Sequence, residues 1–223
     1  MSPILTILHL KKTYETLQKI ELLKDITFTI HENESIAIMG ASGEGKTTLL
    51  HILATLEKPT SGEILYKGKS IYSYKEQDYR LNAIGFIFQS YNLIEDLSVL
   101  ENILLPMRLK KEVSKEKALF LLNEVGLSSK AHTLAKVLSG GEKQRAAIAR
   151  AFACDPEMIF ADEPTGNLDH ANAEKIHRFL LDFTHKMKKT LVIATHNQNL
   201  AGGCQTIYLL QDGIIQLKPK SGS

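Results

Sequence analysis

Ser35-Ile36-Ala37-Ile38-Met39-Gly40-Ala41-Ser42-Gly43-Glu44-Gly45-Lys46-Thr47-Thr48-Leu49-Leu50 is the stretch from which the rest of the chain is read. Its apolar start predicts a short buried strand, and Leu49 and Leu50 open a helical pattern. Between them Gly40, Gly45, Lys46 and Thr47 satisfy G-x-x-x-x-G-K-[ST], in which a glycine-rich loop turns its backbone N–H groups around phosphates. The following helix aims the positive end of its dipole at the same anion. Lys46 is expected to reach the β and γ oxygens of a nucleotide, and Thr47 to offer its hydroxyl to Mg2+. Ala41, Ser42, Gly43, Glu44 and Thr48 complete the cradle. The bare pattern arises by accident in roughly one chain of this length in a hundred. The strand before it and the helix after it make accident rarer still.

The 223 residues, 43% of them apolar, are enough for one large domain or a domain with a small insertion. Lys and Arg number 27 against 25 Asp and Glu, and the charges are interspersed, so no nucleic-acid partner is expected. Cys154 and Cys204 stand alone, without metal spacing, as suits a reducing cytoplasm. Lys186-Met187-Lys188-Lys189 reads as a solvated helix end. Neither a secretory leader nor an apolar run long enough to span a membrane is apparent, which predicts a soluble chain. Ser221-Gly222-Ser223 reads as a flexible tail.

Upstream of the loop, residues 5–14 and 22–30 alternate like strands around the polar stretch 15–21, predicting an antiparallel β flank. Tyr14 closes the first strand, where its ring either stacks on a purine or packs at the sheet edge. Downstream, Pro59-Thr60-Ser61-Gly62 marks a turn, and residues 63–66 with 70–72 predict a small hairpin. Residues 83–88 read as a buried strand that delivers Gln89. From 91 to 136 the spacing turns helical, with Leu97, Leu100, Ile103 and Leu104 on one face and Ser114 placed to cap a helix over 115–125. This predicts an inserted helical lobe. The segment from Asn92 to Leu97, just beyond Gln89, either packs into that lobe or lines a groove for a partner helix.

Leu138-Ser139-Gly140-Gly141-Glu142 leads into an alanine-rich amphipathic helix with Ser139 as a natural N-cap. Ser139, Gly140 and Gly141 are either a flexible approach to that helix or a second N-terminus open to an anion, and position alone leaves both open. Met158-Ile159-Phe160-Ala161-Asp162-Glu163 is an apolar strand ending in two carboxylates, at the sheet edge where α/β folds bind ligands. Asp162 suits a water-bridged Mg2+ ligand, and Glu163, pointing elsewhere, suits a general base. Residues 190–195 form another strand with His196 at its carboxyl end, and residues 205–210 with 213–217 form a closing hairpin. None of the eight histidines lies in an H-E-x-x-H pattern.

The pentad at Leu138 to Glu142, followed by Lys143-Gln144-Arg145, makes the whole chain resemble the ATP-binding subunits of ABC transporters. By chance it would occur in roughly one chain of this length in several thousand. An Asn-Lys-x-Asp guanine-reading motif is absent from the sequence. The resemblance implies an α/β fold: a P-loop NTPase core of the ABC ATPase type, with a mixed sheet and an antiparallel β flank, plus an inserted α-helical lobe. It also implies roles. Tyr14 would stack on the adenine of ATP, Gln89 would touch Mg2+ and the attacking water, and His196 would contact the γ-phosphate. Mg2+ would then be ligated by Thr47, Gln89 and, through water, Asp162. Ser139, Gly140 and Gly141 would serve the nucleotide held by a second copy, so that two copies close head to tail around two ATP molecules.

Pro164-Thr165-Gly166-Asn167-Leu168-Asp169, with Leu49-Leu50-His51 and Pro59-Thr60-Ser61-Gly62, resembles the group of this family containing LolD, MacB and FtsE. The segment from Asn92 to Asn102 is most similar to its lipoprotein-releasing branch. That implies transmembrane permease subunits of the LolC/LolE kind, docked near Gln89 and residues 92–97, and a peripheral place on the cytoplasmic side of the bacterial inner membrane. The alternatives are an FtsE-like or MacB-type efflux subunit, or a soluble ABC ATPase outside transport. The expected division is residues 1–90 and 156–218 for the two parts of the ATP-binding core, 91–155 for the helical lobe with the signature, and 219–223 for the tail. Ala41 and Glu44 depart from the family's usual loop, and Glu44 would weaken nucleotide binding if it turned inward. Because such loops bind through backbone N–H groups, little loss is expected.

Overall fold

The computed structural model describes residues 2–15 and 19–219. In chain order, β1 (Pro3–Glu15) and β2 (Lys19–His31) precede β3 (Ser35–Met39) and α1 (Lys46–Leu53). Then come β4 (Ser61–Tyr66), β5 (Lys69–Ser70), α2 (Glu76–Ala83) and β6 (Ile84–Ile87). Three helices follow, α3 (Val99–Lys110), α4 (Lys115–Glu124) and α5 (Gly140–Ala151). The chain ends with β7 (Met158–Asp162), α6 (His170–Lys186), β8 (Thr190–Thr195), α7 (Gln198–Gly202), β9 (Thr206–Gln211) and β10 (Ile214–Leu217).

Six strands form one sheet in the order β10-β9-β3-β8-β7-β6, parallel throughout except for β10 against β9. Four others form the antiparallel sheet β2-β1-β4-β5. The parallel sheet is covered on both faces, which is why β3, β7 and β8 read as unbroken apolar runs. Alternate residues of β3 separate cleanly: Ile36 and Ile38 join the core shared with α1 and the antiparallel flank, while Ala37 and Met39 join the core shared with α3, α4, α5 and α6. Helices 91–155 therefore do not build a core of their own; their apolar residues are continuous with one face of the sheet.

Most predicted elements are present, with the differences set by single residues. The second strand of the hairpin predicted at 70–72 is only Lys69–Ser70, because Ile71 turns inward to full burial and starts a 3-10 turn over Ile71–Ser73. Leu97 is not helical: Ser98 caps α3, accepting from the Glu101 N–H while Glu101 Oε2 accepts from the Ser98 N–H at 2.8 Å. Ser114 and Ser139 cap α4 and α5 as expected. The basic cluster at 186–189 does end a helix, α6. Residues 16–18, within the polar stretch 15–21, and the predicted tail at 221–223 lie outside the described residues.

Candidate active site

Parallel pairing aligns the strand ends. Met39 stands opposite Thr195, Ala194 opposite Asp162, and Ala161 opposite Ile87, so the chain leaves β3, β8, β7 and β6 along one edge. Gly40, His196, Glu163 and Gln89 therefore emerge together although up to 156 positions separate them. This is the carboxyl edge, where open α/β sheets hold ligands.

The loop after β3 is shaped by its glycines. A Cβ on Gly40 would lie 2.4 Å from the Leu210 carbonyl oxygen, and Gly45, the N-cap of α1, has φ 95°. Lys46, buried although charged, donates to the carbonyls of Gly40 and Ala41, both at 2.9 Å. Glu44 does not turn into the cradle. Its Oε2 accepts the Asp212 N–H at 2.8 Å, which points it at the turn between β9 and β10.

The two carboxylates after β7 diverge. Asp162 is buried and accepts from the Thr47 hydroxyl at 2.9 Å. Burial pushes its carboxyl above the usual range, partly opposed by that hydrogen bond. Glu163 has φ 40°, in the left-handed region that side chains rarely occupy, and its N–H donates to the Ala194 carbonyl. Its Oε1 accepts the His196 N–H at 3.0 Å and faces His196 Nδ1 at 2.8 Å; its Oε2 accepts from Thr195 Oγ1 at 3.2 Å. The end of β8 thus fixes the carboxylate, and Lys46 Nζ stands 4.0 Å from the same Oε1.

Ser42, Gly43, Gly45, Lys46, Thr47, Thr48, Gln89 and Glu163 line one cavity of about 240 Å³. Gln89 is held from behind, since Asn167 Nδ2 donates to its carbonyl at 2.9 Å. Tyr14 is half-buried nearby, its hydroxyl 3.5 Å from Thr48 Oγ1. Ser139, Gly140 and Gly141 stand apart from the cavity at the start of α5, where Glu142 Oε2 accepts both the Ser139 N–H and its hydroxyl at 2.9 Å. Sequence reasoning passed over Leu22, Thr195, Lys12 and Glu57. Leu22 lines the cavity from β2, and Lys12 and Glu57 surround Tyr14; no local spacing announces any of these three. Thr195 could have been found, as the last residue of the strand that delivers His196.

Phosphoryl transfer asks a protein for positioning and charge rather than for covalent chemistry, and this edge is built for both. Fold and site define a phosphate-loop nucleoside triphosphatase. The profile of the ABC transporter family matches residues 23–166, and the chain belongs to that family. It is an ATPase of the ABC type. It is similar to the lipoprotein-releasing system ATP-binding protein LolD of Protochlamydia amoebophila, 45% identical over 92% of each chain. LolD of Syntrophus aciditrophicus is 42% identical over 93% of this chain and 96% of its own. Among solved structures, the dimeric structure of MJ0796, a bacterial ABC transporter cassette, has a TM-score of 0.88 at 36% identity, covering 98% of this chain and 100% of that one. A post-hydrolysis state of the same cassette, bound to ADP and Pi, has a TM-score of 0.88 at 35% identity.

Proposed function

We propose that this chain is the ATP-hydrolysing subunit of a lipoprotein-releasing ABC transporter, powering separate permease subunits from the cytoplasmic face of the bacterial inner membrane. Similarity to the LolD proteins over nearly the whole chain supports the cargo class. No described helix is long and apolar enough to cross a membrane, consistent with a peripheral subunit.

The observation that carries the chemistry is the division of labour between neighbouring carboxylates. Thr47 and Asp162 bring a hydroxyl and a carboxylate oxygen within 2.9 Å, a hard-oxygen pair suited to Mg2+, with Thr47 and Gln89 as ligands and Asp162 acting through water. Bound there, Mg2+ would supply charge neutralisation for the β and γ phosphates. Lys46 meets the same oxygens by exchanging its two loop carbonyls for phosphate. Glu163 takes the proton of the attacking water, and His196 orients Glu163 and contacts the γ-phosphate. Tyr14 stacks on the adenine. Ser139, Gly140 and Gly141 of a second copy close over the γ-phosphate; the dimeric cassette to which this chain is similar supports that assembly.

A groove of about 250 Å³ beside β6, lined by Phe86, Phe88, Asn92, Leu105, Pro106 and Leu109 among others, supports a docking place for a permease segment. It lies just beyond Gln89, so a permease seated there would sense the γ-phosphate through that residue. In this reading residues 1–90 and 156–218 are the ATP-binding core and residues 91–155 the lobe that relays the coupling, through the apolar core it shares with one face of the sheet. Co-purification from membranes tests the reading: a permease with a large periplasmic domain, and ATP-dependent release of lipoprotein from proteoliposomes, is expected. Recovery with an efflux or division permease instead would contradict the cargo assignment.

A further inference from the structure

Glu57 sits four residues past the end of α1, with its N–H bonded to the His51 carbonyl at 3.2 Å, so its backbone is tied to the helix that begins at the phosphate loop. Its Oε1 accepts from the Tyr14 hydroxyl at 2.6 Å and pairs with Lys12 Nζ at 2.8 Å. Lys12 is two residues before Tyr14 on β1 and therefore shares its face of the strand. The Lys12 ammonium lies 4.8 Å from the Tyr14 ring centroid, within cation–π range, and donates to the Lys58 carbonyl at 2.8 Å. Both partners are sheltered, with 14% of the Lys12 and 26% of the Glu57 side chain exposed.

A tyrosine side chain has two soft torsions: the bond from its hydroxyl, which lies on the ring's rotation axis, restrains the direction of the side chain, and the Lys12 ammonium over one face restrains the turn of the ring about that axis. The ring is thereby held relative to α1, and so relative to the loop that would take the phosphates, while an ammonium covers one of its faces. A base is left the other face. We infer that Glu57, with Lys12, is the positioning residue that sets the plane of Tyr14 for the adenine of ATP. This rests on the reading above that Tyr14 stacks on the base. Burial acts against the Glu57 carboxylate, and the hydrogen bonds from Lys12 and Tyr14 outweigh it, holding the group below the usual glutamate range; the acceptor is therefore ionised at neutral pH.

The rival role is mechanical, a clamp joining β1 to α1 with no bearing on the base. Binding of Mg·ATP and of Mg·tripolyphosphate to the full chain separates the two, because tripolyphosphate has no base to stack. Glu57→Ala is expected to weaken ATP about fivefold to tenfold, raising KM with kcat unchanged, and to leave tripolyphosphate within about twofold. Tyr14→Phe, which keeps the ring and loses the tie together with the longer contact to Thr48, is expected to match it, and the double variant to be no weaker than either. Glu57→Gln, which keeps an acceptor for the hydroxyl, should recover most of the loss. Equal weakening of both ligands would overturn the positioning role in favour of the clamp. Unchanged ATP binding by Glu57→Ala, beside clear weakening by Tyr14→Ala, would overturn it while leaving the stacking intact. Unchanged ATP binding by Tyr14→Ala would overturn the stacking and the inference together.

Discussion

One carboxylate oxygen, Oε1 of Glu163, accepts the backbone N–H of His196 at 3.0 Å and faces its Nδ1 at 2.8 Å. The contact spans two adjacent parallel strands, β7 and β8, and holds a residue whose own backbone is at φ 40°. Such strain persists where the surroundings over-determine it, and here Thr195 at the end of β8 and His196 just beyond it supply three contacts to one side chain.

From this geometry, Glu163→Gln is expected to bind ATP close to the wild-type affinity and to lose turnover by about a hundredfold or more, the usual contribution of a positioned base. Phosphate release alongside equilibrium ATP binding checks it. Turnover at the wild-type rate would remove Glu163 from the base role.

Glu44 gives a prediction of opposite kind. Its carboxylate holds the Asp212 N–H, so Glu44→Ala should lower stability by about 1 kcal/mol, the usual net worth of one hydrogen bond. Nucleotide affinity should stay within about threefold, since the loop binds through its backbone. Denaturant midpoints and ATP titration check the two halves. ATP bound more than about tenfold tighter, or unaltered stability, would contradict the observed orientation.

His177 is buried on α6 with Nε2 2.6 Å from Thr165 Oγ1, in the loop that follows Glu163. Burial holds its folded pKa below the usual value of 6.5, with Glu174 acting upward and His170 acting downward. Above that value both folded and unfolded forms are neutral. As pH falls below it the unfolded chain takes up a proton that the folded chain resists, so stability is lost through this window and levels off once the folded group also titrates. Denaturant midpoints between about pH 7.5 and 5.5 are expected to fall in the wild type and to fall less in His177→Gln. An identical slope in both would assign the loss elsewhere.

The phosphate loop, the strand ends and the helix caps were legible in the sequence because each is written in contiguous residues. Gly40 to Thr47 is one contiguous motif, and Ser114 and Ser139 each cap a helix by bonding three residues ahead; Ser98 does the same, but the helical spacing of Leu97 hid it. The surroundings of Tyr14 were not legible, because Glu57 reaches it across 43 positions. Nor was Leu22, whose strand position carries no trace of the loop it faces. Helix α2, with its sparse apolar residues, shows no clear stripe; only Tyr79 and Ala83 of it are buried. Ile71 defeated the hairpin reading because a fully buried side chain outweighs two more strand pairings.

The central claim is that ATP is enclosed between the loop of one copy and the α5 N-terminus of another. Gly141 offers the most direct test, since a Cβ there would come no closer than 3.8 Å to any neighbour, and an aspartate in the first turn suits the helix. Light scattering of Glu163→Gln with Mg·ATP is predicted to give a dimer. Adding Gly141→Asp should return it to a monomer that still binds ATP, by setting a carboxylate against the opposing γ-phosphate. A dimer of unchanged strength in the double variant would contradict the account.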